Sequence, residues 1–119
     1  MEELTERVQP MRVTVKGGET YELDFSRESI SFAEAREFST DNVTKYPVTT
    51  IPELWFYAFR KNHRKLSRSQ TDDLLKKVGG LTPEMLKRLL LLYNQAAMSN
   101  GIVQDEEDLE KNPEVTVEL

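Results

Sequence analysis

Cysteine is absent from the sequence, which removes disulfides, thiolate metal sites and cysteine nucleophiles from consideration and fits a reducing compartment. Histidine occurs once, at His63, so a usual zinc site cannot be assembled, and neither HExxH nor EF-hand spacing occurs. The GxSxG, P-loop and GxGxxG motifs are missing as well. No segment approaches the ~20 apolar residues needed to cross a bilayer. The longest apolar run is Leu89-Leu90-Leu91-Leu92-Tyr93. The first residues, Met1-Glu2-Glu3-Leu4-Thr5-Glu6, are acidic and polar, unlike a secretory signal. Nor does any set of residues combine a nucleophile, a base and an oxyanion donor. These absences set an expectation of a soluble intracellular protein, not an enzyme, without cofactor or metal, that acts by binding another protein.

With 119 residues, the chain fits one domain with a modest core. Its net charge of −5 is not evenly spread. Residues 105–119 hold seven acids against one base, a net of −6, whereas residues 1–104 hold 15 bases and 14 acids. A nearly neutral body is therefore followed by an acidic tail. The organisation this suggests is a flexible leader over residues 1–10, a single domain over 11–103 and an acidic tail over 104–119.

Met11-Arg12-Val13-Thr14-Val15-Lys16 and Tyr21-Glu22-Leu23-Asp24-Phe25 both alternate apolar and polar residues, with Gly17-Gly18 between them. This reads as a β-hairpin with Met11, Val13, Val15, Tyr21, Leu23 and Phe25 on one face. A lone hairpin is marginal, so that face must pack on helices. Ser31 with Glu34 predicts a short helix from Phe32 to Phe38. Residues 39–49 read as a loop. Thr50 with Glu53, and Pro52 in the first turn, predicts a second helix with Ile51, Leu54, Trp55, Ala58 and Phe59 on its buried face. Ser67 with Gln70 opens a third helix, which Gly79-Gly80 stops. Thr82-Pro83-Glu84 starts the last, running to about Met98, with Asn100-Gly101 after it. The fold class expected is α+β, with an N-terminal β-hairpin packed on a small bundle of about four short helices. The tail ends in Val115-Thr116-Val117-Glu118-Leu119, which alternates like a strand. Either it frays, or it adds to an edge of the hairpin, in the same chain or in a neighbour.

Three groups of residues are candidates for function. Leu89, Leu90, Leu91, Leu92 and Tyr93 are consecutive and turn about 100° per residue around a helix axis. Either that helix is buried on nearly every side, or part of it is a contact surface. Phe56 and Tyr57 lie off the buried stripe of the aromatic helix, as packing residues or as interface anchors. Arg60, Lys61, Arg64, Lys65 and Arg68 form a basic cluster. It could bind phosphate, or it could complement the end of a helix dipole. The near-neutral body favours the second reading, and nucleic acid is not the partner expected.

The segments Tyr21 to Phe38, Tyr46-Pro47-Val48-Thr49-Thr50-Ile51-Pro52-Glu53-Leu54, Phe59-Arg60-Lys61-Asn62-His63 and Gly80-Leu81-Thr82-Pro83-Glu84-Met85-Leu86 carry a resemblance that covers residues 11 to about 98. They resemble a family of small proteins from prophages of Gram-positive bacteria. In layout, with an acidic tail after the last helix, the chain also resembles the tail assembly chaperones of long-tailed bacteriophages. That resemblance implies a cytoplasmic protein of a bacterial host, self-associating as a homo-oligomer, that coats the hydrophobic tape-measure protein before the tail tube assembles. It implies no catalytic residues. The alternative is a small phage nucleic-acid-binding or regulatory protein using the basic cluster.

Overall fold

The period-two alternation at the start of the chain builds the expected hairpin in the computed structural model, which describes residues 7–98. Strand β1 (Met11–Thr14) pairs antiparallel with β2 (Thr20–Leu23), in the register Met11 to Leu23 and Val13 to Tyr21. Met11, Val13, Val15, Leu23 and Phe25 are buried and Tyr21 half-buried, whereas Arg12 and Thr14 face outward. The connecting turn closes with the Gly18 N–H donating to the Val15 carbonyl at 2.8 Å. Gly17 inside it has φ +69°, a region open to glycine at little cost.

Among the described residues five helices follow: α1 (Arg27–Glu34), α2 (Asn42–Lys45), α3 (Pro47–Phe59), α4 (Arg68–Val78) and α5 (Pro83–Met98). The fold is α+β, a two-stranded antiparallel hairpin followed by these helices. Two predicted starts are displaced. Helix α1 begins at Arg27, because Ser26 and Ser29 form a reciprocal cap: the Ser29 N–H donates to Ser26 Oγ at 3.2 Å and the Ser26 N–H to Ser29 Oγ at 2.8 Å. A serine in the place where Glu or Gln is usual hid this cap. The helix ends where Glu37 takes a left-handed φ of +66° and the Phe38 N–H returns to the Ala33 carbonyl at 3.1 Å. Phe38 is thereby folded into the core.

The stretch predicted as a loop over 39–49 contains α2 and the start of α3. Pro47 stands in the first turn of α3, where a missing N–H costs nothing. Pro52 lies inside the helix, and Thr50, expected as its cap, is buried in it. Pro52 removes the bond to the Val48 carbonyl, but Val48 is 88 % exposed and water can take that place. Helix α4 starts and stops as expected, with Ser67 and Gln70 capping each other and Gly79 left-handed at its end. Helix α5 starts at Pro83, with the Met85 N–H donating to Thr82 Oγ1 at 3.1 Å. Residues 7–10, assigned to a flexible leader, run along α5 instead. The Val8 N–H donates to Gln95 Oε1 at 2.7 Å and its carbonyl accepts from Gln95 Nε2 at 3.2 Å. The acidic tail, Asn100-Gly101 and the strand-like terminus lie outside the described residues.

Leu54, Trp55, Ala58 and Phe59 of α3, with Leu23 of β2 and Leu89 and Leu92 of α5, are buried almost completely. The Trp55 indole N–H donates to the Thr71 carbonyl of α4 at 2.7 Å. Two sets of edge-to-face or tilted rings run through the core. One links Trp55, Phe59 and Tyr21, and the other links Phe25, Tyr93, Phe38, Tyr57 and Phe32. Among the described residues no helix is long and apolar enough to cross a membrane.

Trp55→Phe is expected to lower unfolding stability by about 2–4 kcal/mol, from the void it leaves and the unpartnered Thr71 carbonyl. Urea unfolding followed by far-ultraviolet circular dichroism measures it. A loss under about 0.5 kcal/mol would show that the indole does not tie α3 to α4.

Candidate functional site

Among the described residues strand β2 has a strand neighbour on one side only, and its other edge finds partners elsewhere. They come from the end of α3 and the arch that follows it, residues 60–66. The Asp24 N–H donates to the Ala58 carbonyl at 3.1 Å, and the Glu22 N–H to His63 Nε2 at 3.0 Å. Asn62 Nδ2 donates to the Glu22 carbonyl at 3.2 Å. The arch is fixed locally by the His63 N–H on the Phe59 carbonyl at 2.7 Å. Because His63 Nε2 accepts, the neutral ring carries its proton on Nδ1, an assignment made from this hydrogen bond. The ring stands edge-on to Tyr21, with centroids 5.1 Å apart. The lone histidine therefore closes a strand edge.

The basic cluster is arranged around the same arch. Arg60 donates from Nε and Nη2 to the Glu28 carboxylate, the shortest contact being 2.8 Å. Arg64 reaches Glu28 at 3.3 Å, and Arg68 reaches Asp72 one turn along α4 at 3.0 Å. Lys61 Nζ lies 2.8 Å from Oδ2 of the buried Asp24, whose Oδ1 accepts from the Phe25 N–H. The Arg60 and Arg36 guanidiniums each stand 3.6 Å from the Phe32 ring centroid, which places them on opposite faces. The Arg60 hydrogen bond holds the Glu28 carboxyl below its usual value of 4.5, against a smaller opposing effect of burial. Of the five cations in the cluster, Lys65 alone has no carboxylate partner among the described residues.

The apolar candidates divide. Leu89 and Leu92 are fully buried, Tyr93 and Tyr57 nearly so, and Leu90 and Phe56 are half-buried against the core. Burial pushes the Tyr93 hydroxyl up to about 12. Tyr57, Leu89, Leu92 and Tyr93 are therefore core residues, and the reading of them as a protein-contact surface is corrected. The physical reason is that α5 has neighbours on several sides: residues 8–9, β1, α1 and α3 all pack on it. Leu91 is exposed, but Lys87, Arg88 and Asn94 surround it on the outward stripe. The apolar excess of α5 is thus taken up by the core and gives no argument for self-association through that helix.

The exposed apolar surface lies elsewhere, at the start of α3. Tyr46 is 62 % exposed and Val48 88 %, with Pro47 between them. Pro52 and Phe56 follow Val48 by one and two turns on the same side and are half-buried. Sequence reasoning passed over Tyr46 and Val48 by placing them in a loop. The available signal was Pro47 as a helix-starting residue, which would have extended the amphipathic pattern back to them.

An open depression of about 630 Å³ lies beside the arch, lined by Glu19, Tyr21, Asn62, His63, Arg64, Lys65 and Leu66. Its polar groups are mostly engaged. Tyr21 donates to Glu19 at 2.7 Å, and Asn62, His63 and Arg64 hold β2 and α1 as described. Among the described residues no group of three or more His, Asp or Glu is placed to hold a metal ion.

The architecture is thus a small α+β domain whose hairpin is locked to its helices by the arch after α3. Residues 6–119 match the family described as Domain of unknown function (DUF5055), and the chain belongs to that family. No curated protein and no solved structure matches the chain.

His63→Ala is expected to lower stability by about 1–3 kcal/mol, because the Glu22 N–H loses its acceptor and Tyr21 a ring neighbour. A denaturant titration measures it, and an unchanged midpoint would show that the edge does not depend on His63. Glu28 gives a pH dependence. Its folded-state value is lowered, so its ionised form favours folding above about pH 4.5 and that contribution disappears as pH falls through the lower folded value. Glu28→Gln should therefore lose less stability than the parent protein between pH 5 and 3, and parallel curves would remove Glu28 from acid unfolding.

Proposed function

We propose that this protein works by binding another protein, as a tail assembly chaperone of a phage or prophage or a close relative of one, and that its partner is the tape-measure protein. The observation that supports the reading is the apolar surface of Tyr46, Pro47 and Val48 at the start of α3, continued by Pro52 and Phe56. A long helical partner with apolar residues at helical spacing would lie along such a stripe. The segment Tyr46 to Leu54 is also one of those that carry the sequence resemblance. The charges support the same choice. Arg60, Lys61, Arg64 and Arg68 are held by Glu28, Asp24 and Asp72, so a phosphate backbone would have to displace carboxylates that are already in place.

Co-expression with the tape-measure protein of the same phage genome tests the reading. The expected result is a larger soluble fraction of that protein and a complex that survives purification. Val48→Asp, at a fully accessible position, should cut recovery of the complex by about tenfold while leaving the thermal midpoint within about 2 °C. Equal solubility of the tape-measure protein with and without this chain would overturn the reading.

A further inference from the structure

The Phe32 ring carries a guanidinium on each face, and the two are completed differently. Arg60 donates from Nε and Nη2 to the Glu28 carboxylate. Arg36 donates from Nη1 to the Phe32 carbonyl at 3.1 Å and has no carboxylate among the described residues. Neither Glu34 nor Glu37, on either side of it in the sequence, forms an ion pair with it. Nor does Glu53, which with Arg36 acts on the Tyr57 hydroxyl. Two cations across one ring repel each other, and only the Arg60 side has a carboxylate to offset that. Ring and carbonyl together hold the Arg36 guanidinium, so a ligand orders less there than on a free surface arginine.

Arg36 stands at an open depression of about 560 Å³ on α1, lined also by Arg27, Glu28, Ser31, Phe32 and Ala35. The lining is mainly apolar. Its one acid, Glu28, is already bonded to Arg60 and Arg64, and Arg27 has no carboxylate partner among the described residues. The place adjoins the α3 surface. Arg60 follows Phe56 by one turn on the stripe of Val48 and Pro52, and Phe32 packs edge-on to Tyr57, which packs against Phe56.

We infer that Arg36 receives a glutamate or aspartate carboxylate of the helical protein segment that lies on Val48, Pro52 and Phe56, with Arg27 as a second cation for the same acidic turn. The inference rests on the protein-binding reading above and adds the charge of the partner: apolar residues at helical spacing, then acids about one turn beyond them. A carboxylate on Arg36 mirrors Glu28 on Arg60 and forms the two-pronged pair that a guanidinium favours. The mainly apolar lining suits an acid carried on an apolar helix better than a phosphate backbone. A second copy of this face would bring its own Arg27 and Arg36 against these two.

Fluorescence anisotropy with the full-length protein and two synthetic helical peptides of about 18 residues tests this. Both carry leucine at three successive i, i+4 positions. One has glutamate in its two terminal turns, and the other has glutamine there. At about 50 mM salt the glutamate peptide is expected to bind at least about fivefold more tightly. Arg36→Gln with Arg27→Gln should bring the two peptides within about twofold of each other, with the thermal midpoint unchanged within about 2 °C. Lys65→Gln, which removes a cation elsewhere on the surface, should leave the preference intact. Equal affinity of the two peptides for the parent protein, or a preference that survives loss of both arginines or disappears with Lys65, overturns the inference. Val48→Asp separates it from the functional reading. Equal binding that is lost in Val48→Asp removes the carboxylate site and leaves the α3 surface standing. A glutamate preference indifferent to Val48→Asp keeps the site and counts against that surface. Binding of neither peptide overturns the site, and co-expression then decides the functional reading by itself.

Discussion

A hairpin of two short strands sends half of its backbone hydrogen-bonding groups away from its own ladder, and this molecule is built around where the β2 half of them go. The carbonyl of Ala58 takes the Asp24 N–H, which requires α3 to end beside β2. The arch must then turn at once so that Asn62 and His63 meet Glu22. Helix α3 is held in that position from behind by the Trp55 bond to Thr71 in α4 and by Phe59 against Tyr21. Moving α3 by one turn would leave those groups buried or half-buried without partners, at about 1–3 kcal/mol each.

Magnitudes separate what stabilises this arrangement from what orients it. Leu54, Trp55, Ala58 and Phe59 are almost wholly withdrawn from water, and a large apolar side chain so buried contributes about 1.5–3 kcal/mol. The ion pairs around the arch lie nearer the surface, where an exposed pair contributes about 0–1 kcal/mol. Lys61 with the buried Asp24 and the two-pronged Arg60 with Glu28 are the stronger of them. The greater effect of these pairs is on placement and on the surface field. They fix the arch over β2 and α1, and they leave little unpaired positive charge where the sequence shows a basic run.

Much of the fold was legible because it rests on short-range rules. The hairpin face, the Ser67–Gln70 cap, the stop at Gly79 and the start of α5 are each set by residues within four positions of one another. The misplaced start of α1 had the same local origin but an unfamiliar spelling, since Ser29 does the work that a glutamate usually does. The assignment of Leu89 to Tyr93 could not be settled locally. Whether four consecutive leucines are core or surface depends on how many neighbours the helix has, and residues 8–9, which pack on α5 and are partly held by Gln95 and Arg88, looked like leader. The same holds for the basic cluster: Glu28 and Asp24 lie more than 30 residues before their partners, beyond any sequence pattern. Legible in part was the candidate surface on α3, whose later turns were recognised while its first turn was read as loop.

The prolines at that surface have a thermodynamic consequence. Pro47 and Pro52 lock φ at two positions within the first six residues of α3. An extended or loop-borne contact segment gives up conformational entropy when a partner orders it, roughly 1–2 kcal/mol for each backbone residue. Here that loss is taken during folding, so Tyr46 and Val48 are held by the start of α3 before any contact is made. Pro52 also gives up the N–H that would join it to Val48, so the turn is stiffened by its rings and less by its hydrogen bonds. A pre-ordered surface of that kind lowers the entropic cost of any association made there, and it gives up adaptability to differently shaped partners.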